Sequence, residues 1–317
     1  MFVNILLIIV GFLLLVKGAD WLVDGASDLA KKLRIPEIII GLTIVSIGTS
    51  MPELFVSTTS SIEGRSDMAI GNVIGSNVCN LLLILGLSST IRPIVFKRET
   101  KLIEIPMCLA FSVIFLIIAN TGCVITRAES AILIALFIGF ICYTIFMAKK
   151  GDEFDEKSSK NVDTSNIKVW KCLLMIFLGI VALKFGGDFT VDNAKIIAEK
   201  LNISEKIISI TILAVGTSLP ELVTSVTAAI KGNSDIAIGN IIGSNIFNML
   251  LIIGVAAAIN PLTYNTSYNV DMMFLIAGTG LLSLFPVIPP EDEMSRSNGI
   301  CYLLMYVAYL ATMMMAK

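Results

Sequence analysis

One stretch of this sequence occurs twice. Residues 41–86 read GLTIVSIGTSMPELFVSTTSSIEGRSDMAIGNVIGSNVCNLLLILG, and residues 209–254 read SITILAVGTSLPELVTSVTAAIKGNSDIAIGNIIGSNIFNMLLIIG; an offset of 168 residues superimposes them with more than half of the positions identical. The likeness starts earlier still, since GADWLVDGASDLAKKL (18–33) matches GGDFTVDNAKIIAEKL (186–201) at the same offset. The chain is therefore built from two copies of one folding unit that carry the same polar motif.

Composition says where those copies sit. Hydrophobic residues make up 56% of the chain and charged ones 15%, with a mean hydropathy of +0.87, more than a water-soluble core requires. Apolar stretches near 20 residues can cross the roughly 30 Å hydrocarbon layer as helices. About ten are expected, over 2–17, 36–62, 68–90, 102–120, 128–148, 169–185, 204–230, 236–259, 268–287 and 299–316. The fold class expected is an all-α membrane protein with five helices per copy. An odd number of spans makes the second copy enter the membrane from the opposite side, giving inverted-topology repeats. The units are then 1–148 (helices 1–5), a polar linker 149–167, and 168–317 (helices 6–10). The first span lacks a basic leader and a small-residue cleavage site, so it is expected to be retained rather than removed as a signal. In the first half Lys31, Lys32, Arg34, Lys97, Arg98, Lys149 and Lys150 gather on one side, and Arg65 and Arg127 stand on the other. The positive-inside rule then puts the linker in the cytoplasm, and both termini outside the cell membrane.

Several functions are excluded. There is no histidine, which removes the commonest proton relay and transition-metal ligand. The six cysteines, Cys79, Cys108, Cys123, Cys142, Cys172 and Cys301, show no CxxC spacing and are expected to pack as small buried hydrophobes. No nucleotide-binding loop is present, nothing points to nucleic acid or an enzymatic cofactor, and the linker is too short for a folded sensor domain.

What remains is polar chemistry in apolar surroundings. Glu53 and Glu221 lie mid-span, where an acidic side chain costs at least about 2.5–3.5 kcal/mol and so faces protein or a water-filled path. Pro52 and Pro220 lack an amide hydrogen and are expected to break their helices, freeing the carbonyls of Gly48 and Gly216. Thr49, Glu53 and Ser57 share one helix face, as do Thr217, Glu221 and Ser225. Asn72, Ser76 and Asn80 form a second stripe, repeated by Asn240, Ser244 and Asn248, beside small-xxx-small glycines 71/75 and 239/243 that let helices approach closely. Ser66–Asp67 and Ser234–Asp235 are expected to cap the helices that follow. Asp20, Asp24, Asp188 and Asp192 are read as solvated positions at helix ends. Carboxylate, amide, hydroxyl and carbonyl oxygens without sulfur or imidazole suit hard cations: Ca²⁺, or Na⁺ of similar size. Two carboxylates neutralise one Ca²⁺, whereas three Na⁺ leave one positive charge, so exchange at that ratio is electrogenic.

GTSMPE (48–53) with GNVIGSNVCN (71–80), and GTSLPE (216–221) with GNIIGSNIFN (239–248), resemble the α-repeats of the Ca²⁺:cation antiporter superfamily, in its sodium/calcium exchanger branch. The resemblance covers both halves. It implies a ten-helix antiporter working by alternating access, with helices 1 and 6 sliding over a fixed core and one chain as the functional unit. Glu53 and Glu221 would hold a central Ca²⁺ with Asn80 and Asn248 completing a diamond. Thr49, Ser50, Ser76, Thr217, Ser218 and Ser244, with carbonyls near Ser46 and Ala214, would form flanking Na⁺ sites. Asparagine at both diamond positions points away from the potassium-dependent branch, and the GNxxE pattern of the proton-exchanging branch is absent. The competing readings are an H⁺/Ca²⁺ antiporter, a passive cation channel and a purely structural membrane protein.

Overall fold

The computed structural model describes residues 2–154, 167–201, 216–287 and 291–315. Its helices are α1 (Phe2–Leu33), α2 (Glu37–Thr49), α3 (Met51–Ile62), α4 (Ser66–Ile91), α5 (Thr100–Asn120), α6 (Arg127–Phe154), α7 (Val169–Lys200), α8 (Leu219–Lys231), α9 (Ser234–Ile259), α10 (Tyr268–Val287) and α11 (Arg296–Met315). Among the described residues eight helices are long and apolar enough to cross a membrane, and α2 with α3 make a ninth, bent span. The expected span 204–230 runs through residues 202–215, which lie outside the described set, as do Ala214 and residues 155–166 of the linker.

Helices α4 and α9 form the middle of the molecule. Their apolar windows are 72% and 83% buried, against 22–44% for the other single-helix spans. The outer faces of α1 and α7 are apolar and exposed, with Phe12, Leu13, Trp170 and Phe177 pointing away from the protein, as surfaces facing lipid do. Where α4 and α9 are followed by short strands, the halves interlock: β1 (Ile94–Val95) pairs antiparallel with β4 (Glu293–Met294), and β2 (Val124–Ile125) with β3 (Leu262–Thr263). These ladders satisfy backbone groups that leave the helices.

Helices α1 and α7 are longer than hydropathy suggests, because the expected spans 2–17 and 169–185 stopped where Gly18, Asp20, Gly186 and Asp188 appear. Those residues do not end the helices. A Cβ on Gly18 would stand 2.9 Å from Gly179 O, and one on Gly186 would stand 2.7 Å from Gly11 O. Gly25 meets Cys172 O in the same way at 3.0 Å. The glycines at 11, 18 and 25 and at 179 and 186 thus let two antiparallel helices touch backbone to backbone, the close approach that small residues permit in membranes.

Two smaller expectations change. Asn233, not Ser234, caps α9, its Oδ1 accepting from Ile236 N at 3.1 Å. Asp235 is instead paired with Lys97 at 2.6 Å, and Arg65, at the cap of α4, makes no side-chain capping bond. Of the cysteines, Cys79, Cys108 and Cys172 are buried, Cys123 is half-buried, and Cys142 and Cys301 are exposed; the last two have room on outward faces that an apolar sequence does not distinguish from a core.

Candidate cation site

The break before Pro52 falls where proline chemistry places it. Ser50 leaves the helical region at φ −86°, ψ 10°, and α3 departs from α2 at 49°. Ser218 takes φ −89°, ψ 7° before Pro220. Each proline sits in the first turn of its new helix, where a missing N–H costs nothing. The Ser46 carbonyl at the bend accepts Ser50 N at 3.0 Å and Thr49 Oγ1 at 3.3 Å. The Ser46 hydroxyl turns back to Leu42 O.

Glu53 and Glu221 are both fully buried. Ser50 Oγ donates to Glu221 Oε1 at 2.7 Å, and Ser76 Oγ reaches Glu53 Oε1 at 3.4 Å. Ser76 also accepts from Ser218 Oγ at 3.2 Å and from Asn248 Nδ2 at 3.3 Å. Thr49 Oγ1 donates to Asn240 Oδ1 at 3.0 Å, while Asn240 Nδ2 donates to Ser225 Oγ at 2.9 Å. Asn72 holds Ser57 at 2.9 Å in the same way. Residues from α2, α3, α4, α8 and α9 therefore meet in one network, and of the expected site residues only Ala214 falls outside the described chain.

Neither hydropathy nor helix-face spacing singles out the pair that organises it. Asn77 Nδ2 donates to Asn245 O at 3.2 Å, and Asn245 Nδ2 donates to Asn77 O at 3.3 Å. Their side-chain oxygens accept from the diamond asparagines: Asn80 Nδ2 to Asn245 Oδ1 at 3.2 Å, and Asn248 Nδ2 to Asn77 Oδ1 at 2.9 Å. This reciprocal clamp joins α4 to α9 and turns both diamond amides so that their oxygens point elsewhere. The available signal was the last asparagine of each GSN triplet.

The clamp leaves a particular remainder. Glu53 Oε2, Glu221 Oε2, Asn80 Oδ1 and Asn248 Oδ1 are all buried without a hydrogen-bond partner, as is Ser244 Oγ. An unmet buried acceptor costs roughly 1–3 kcal/mol, so four in two symmetric pairs within one hydrogen-bonded network suit a positively charged ligand. The helices hold these chains in place with π-type wide turns at Cys79–Ile84 and Phe247–Ile252, which carry Asn80 and Asn248; such turns recur at functional sites. Among the described residues no group of three or more Cys, Asp or Glu is placed to hold a metal ion. Beside it a cavity of about 510 Å³ separates α3 from α7 and is lined by Thr49, Pro52, Thr217, Pro220, Asp188 and Asp192 among others.

The sequence model of the family described as sodium/calcium exchanger protein matches residues 3–146 and again residues 171–315. The chain belongs to the sodium/calcium exchanger family. It is 33% identical to the sodium/calcium exchanger MaX1 of Methanosarcina acetivorans, over 98% of each chain. It is 35% identical to the uncharacterized membrane protein MJ0091 of Methanocaldococcus jannaschii, over 97% of each. Among solved structures it is similar to the sodium-calcium exchanger NCX_Mj soaked with Na⁺ and Ca²⁺, with a TM-score of 0.83, 32% identity and 98% of each chain covered. The exchanger family matches each half separately, as the duplicated motifs lead one to expect.

Proposed function

We propose that this exchanger is a secondary active antiporter that moves Ca²⁺ against Na⁺ by alternating access, electrogenically and without K⁺. Glu53, Glu221, Asn80 and Asn248 hold Ca²⁺ at the centre. Thr49, Ser50, Ser76, Thr217, Ser218 and Ser244, with the carbonyls of Ser46 and Ala214, serve the flanking Na⁺ positions. The observation that carries this reading is the symmetric set of four buried oxygens without donors, two of them from carboxyl groups: a hard cation is the ligand whose chemistry completes it. Two negative charges balance one Ca²⁺, and a third Na⁺ would carry the net charge of the cycle.

The architecture proposed with it is ten membrane helices in two inverted repeats, 1–148 and 168–317, joined by a cytoplasmic linker at 149–167 whose first residues, 149–154, continue α6 as helix. The chain would work singly in the cell membrane, both termini outside. The backbone-to-backbone contact of α1 with α7 supports their moving as one body, and the cavity between α3 and α7, apolar over most of its wall but reaching Thr49, Thr217, Asp188 and Asp192, supports an opening toward the ions.

The reading is tested by equilibrium binding to the purified protein. Na⁺ should displace Ca²⁺ with a steep, multi-ion dependence, and K⁺ at equal concentration should leave Ca²⁺ affinity unchanged. Displacement by K⁺, or none by Na⁺, contradicts it.

A further inference from the structure

Along the antiparallel pair of α1 and α7, Gly11 lies over Gly186 and Gly25 over Cys172. Asp20 and Asp24 therefore stand toward one end of the pair, and Asp188 and Asp192 toward the other. These are symmetric positions at the offset of 168, yet their surroundings differ. At the second end α7 is parted from α3 by the cavity, lined by Asp188 and Asp192. At the first end α1 packs against α8, and Lys231, the last residue of α8, reaches across. Its Nζ is 3.1 Å from Asp20 Oδ1 and 2.7 Å from Asp24 Oδ1, and also approaches Asp20 O at 3.4 Å.

Lys231 has a counterpart with the opposite charge. SIEGRSD (61–67) aligns with AIKGNSD (229–235), so Glu63 occupies the place of Lys231 at the end of α3. Glu63 is 3.3 Å from Arg65. Each helix also pairs one aspartate with a lysine of its own, Lys184 with Asp188 at 2.7 Å and Lys17 with Asp20 at 3.9 Å, so the bond between helices from Lys231 is what sets the two ends apart. A second asymmetry agrees. Val56 lines the cavity, while its counterpart Thr224 is completely buried with a hydroxyl that lacks a partner, a polar group sealed in the wall of a path that is shut.

We propose that Lys231, with Asp20 and Asp24, is a positioning latch that holds closed the second access path, symmetric to the cavity, and that Glu63 leaves the cavity side without one. The inference rests on the alternating-access reading above. Closing the cavity would bring Glu63, already paired with Arg65, toward Asp188 and Asp192, so no cation at that position favours closure there, while Lys231 favours it at the other end. The difference tips the ion-free protein toward the state with the cavity open.

The test uses the full chain in proteoliposomes, with its six cysteines replaced and one reporter thiol, Thr224→Cys or Val56→Cys, read by its reaction rate with a hydrophilic maleimide. Lys231→Gln should raise the Thr224→Cys rate roughly two- to fivefold, the change that two half-exposed ion pairs lend an equilibrium. Lys231→Arg should keep it as it was. Glu63→Lys, which supplies the missing cation, should slow the Val56→Cys reaction by a similar factor, and this arm stands even where Lys231→Gln does not fold. Unchanged rates in Lys231→Gln or in Glu63→Lys overturn the latch. Absence of Na⁺-driven Ca²⁺ uptake by the wild type would overturn the exchange reading instead, and the labelling rates distinguish the two failures.

Discussion

Ser50 Oγ donates to Glu221 Oε1 across 2.7 Å, although 171 residues separate the two along the chain. The serine at the bend of one half completes the carboxylate of the other, and Asn248 returns the connection by donating to Ser76 and Asn77. The polar centre belongs to both halves at once, so duplication of the sequence yields one site rather than two.

Removing a charge from that centre should disable it without unfolding the protein. Glu53→Gln and Glu221→Gln each preserve shape and take away one negative charge. Two opposite unit charges near 4 Å attract by about 4 kcal/mol at the effective dielectric of protein sites, and Ca²⁺ carries two, so its affinity should fall by at least about a thousandfold. Thermal melting reads this directly: Ca²⁺ should raise the melting temperature of the wild type by mass action and leave that of either variant where it was.

The asparagine clamp should matter to stability and binding together. Asn245→Ala leaves the amide of Asn80 and the carbonyl of Asn77 without their partners inside the protein, at roughly 1–3 kcal/mol. It also frees Asn80 to turn. Asn245→Ala and Asn77→Ala are expected to lower both melting temperature and Ca²⁺ affinity, measured by calorimetric titration, though neither residue offers the cation an oxygen.

The α1–α7 contact leaves no room for a methyl group. A Cβ at Gly18 would lie 2.9 Å from both Gly179 O and Leu183 N, backbone atoms that cannot turn aside. Gly18→Ala should force the helices apart at about 1–3 kcal/mol, whereas Gly139→Ala, with nothing within 4 Å among the described residues, should be neutral or stabilising. Comparing their melting temperatures in detergent checks the difference.

At the start of α9, Asn233→Ala should cost about 0.5–2 kcal/mol, the range for loss of an N-cap oxygen. Arg65→Ala, at the equivalent place before α4, removes no cap and should change the melting temperature far less. Equal losses would return the capping role to the serines that follow.

Much of this was legible in the sequence. Glu53 and Glu221 announce themselves because a carboxylate in apolar sequence has few explanations, and Pro52 and Pro220 mark the breaks because proline acts on its own helix. Asn77 and Asn245 do not, since their work is done across 168 residues and hydropathy sees only one more polar side chain beside Ser76 and Ser244. Asp20 and Asp24 are solvent-accessible, as their sequence suggests, but α1 runs on past them to Leu33, and the lysine that reaches them lies more than 200 residues away. The glycines at 11, 18 and 25 carried a seven-residue spacing that was there to be read, but which helix they faced was not.

The central claim is that two buried glutamates, one from each half, hold a Ca²⁺ that Na⁺ drives across the membrane. It is tested most directly by ⁴⁵Ca²⁺ uptake into proteoliposomes of the purified protein under an imposed Na⁺ gradient. Uptake should require the Na⁺ gradient, respond to membrane potential, proceed without K⁺ and vanish in Glu53→Gln and Glu221→Gln. Uptake driven by a proton gradient alone, or a Ca²⁺ flux indifferent to Na⁺ on the opposite side, would contradict it.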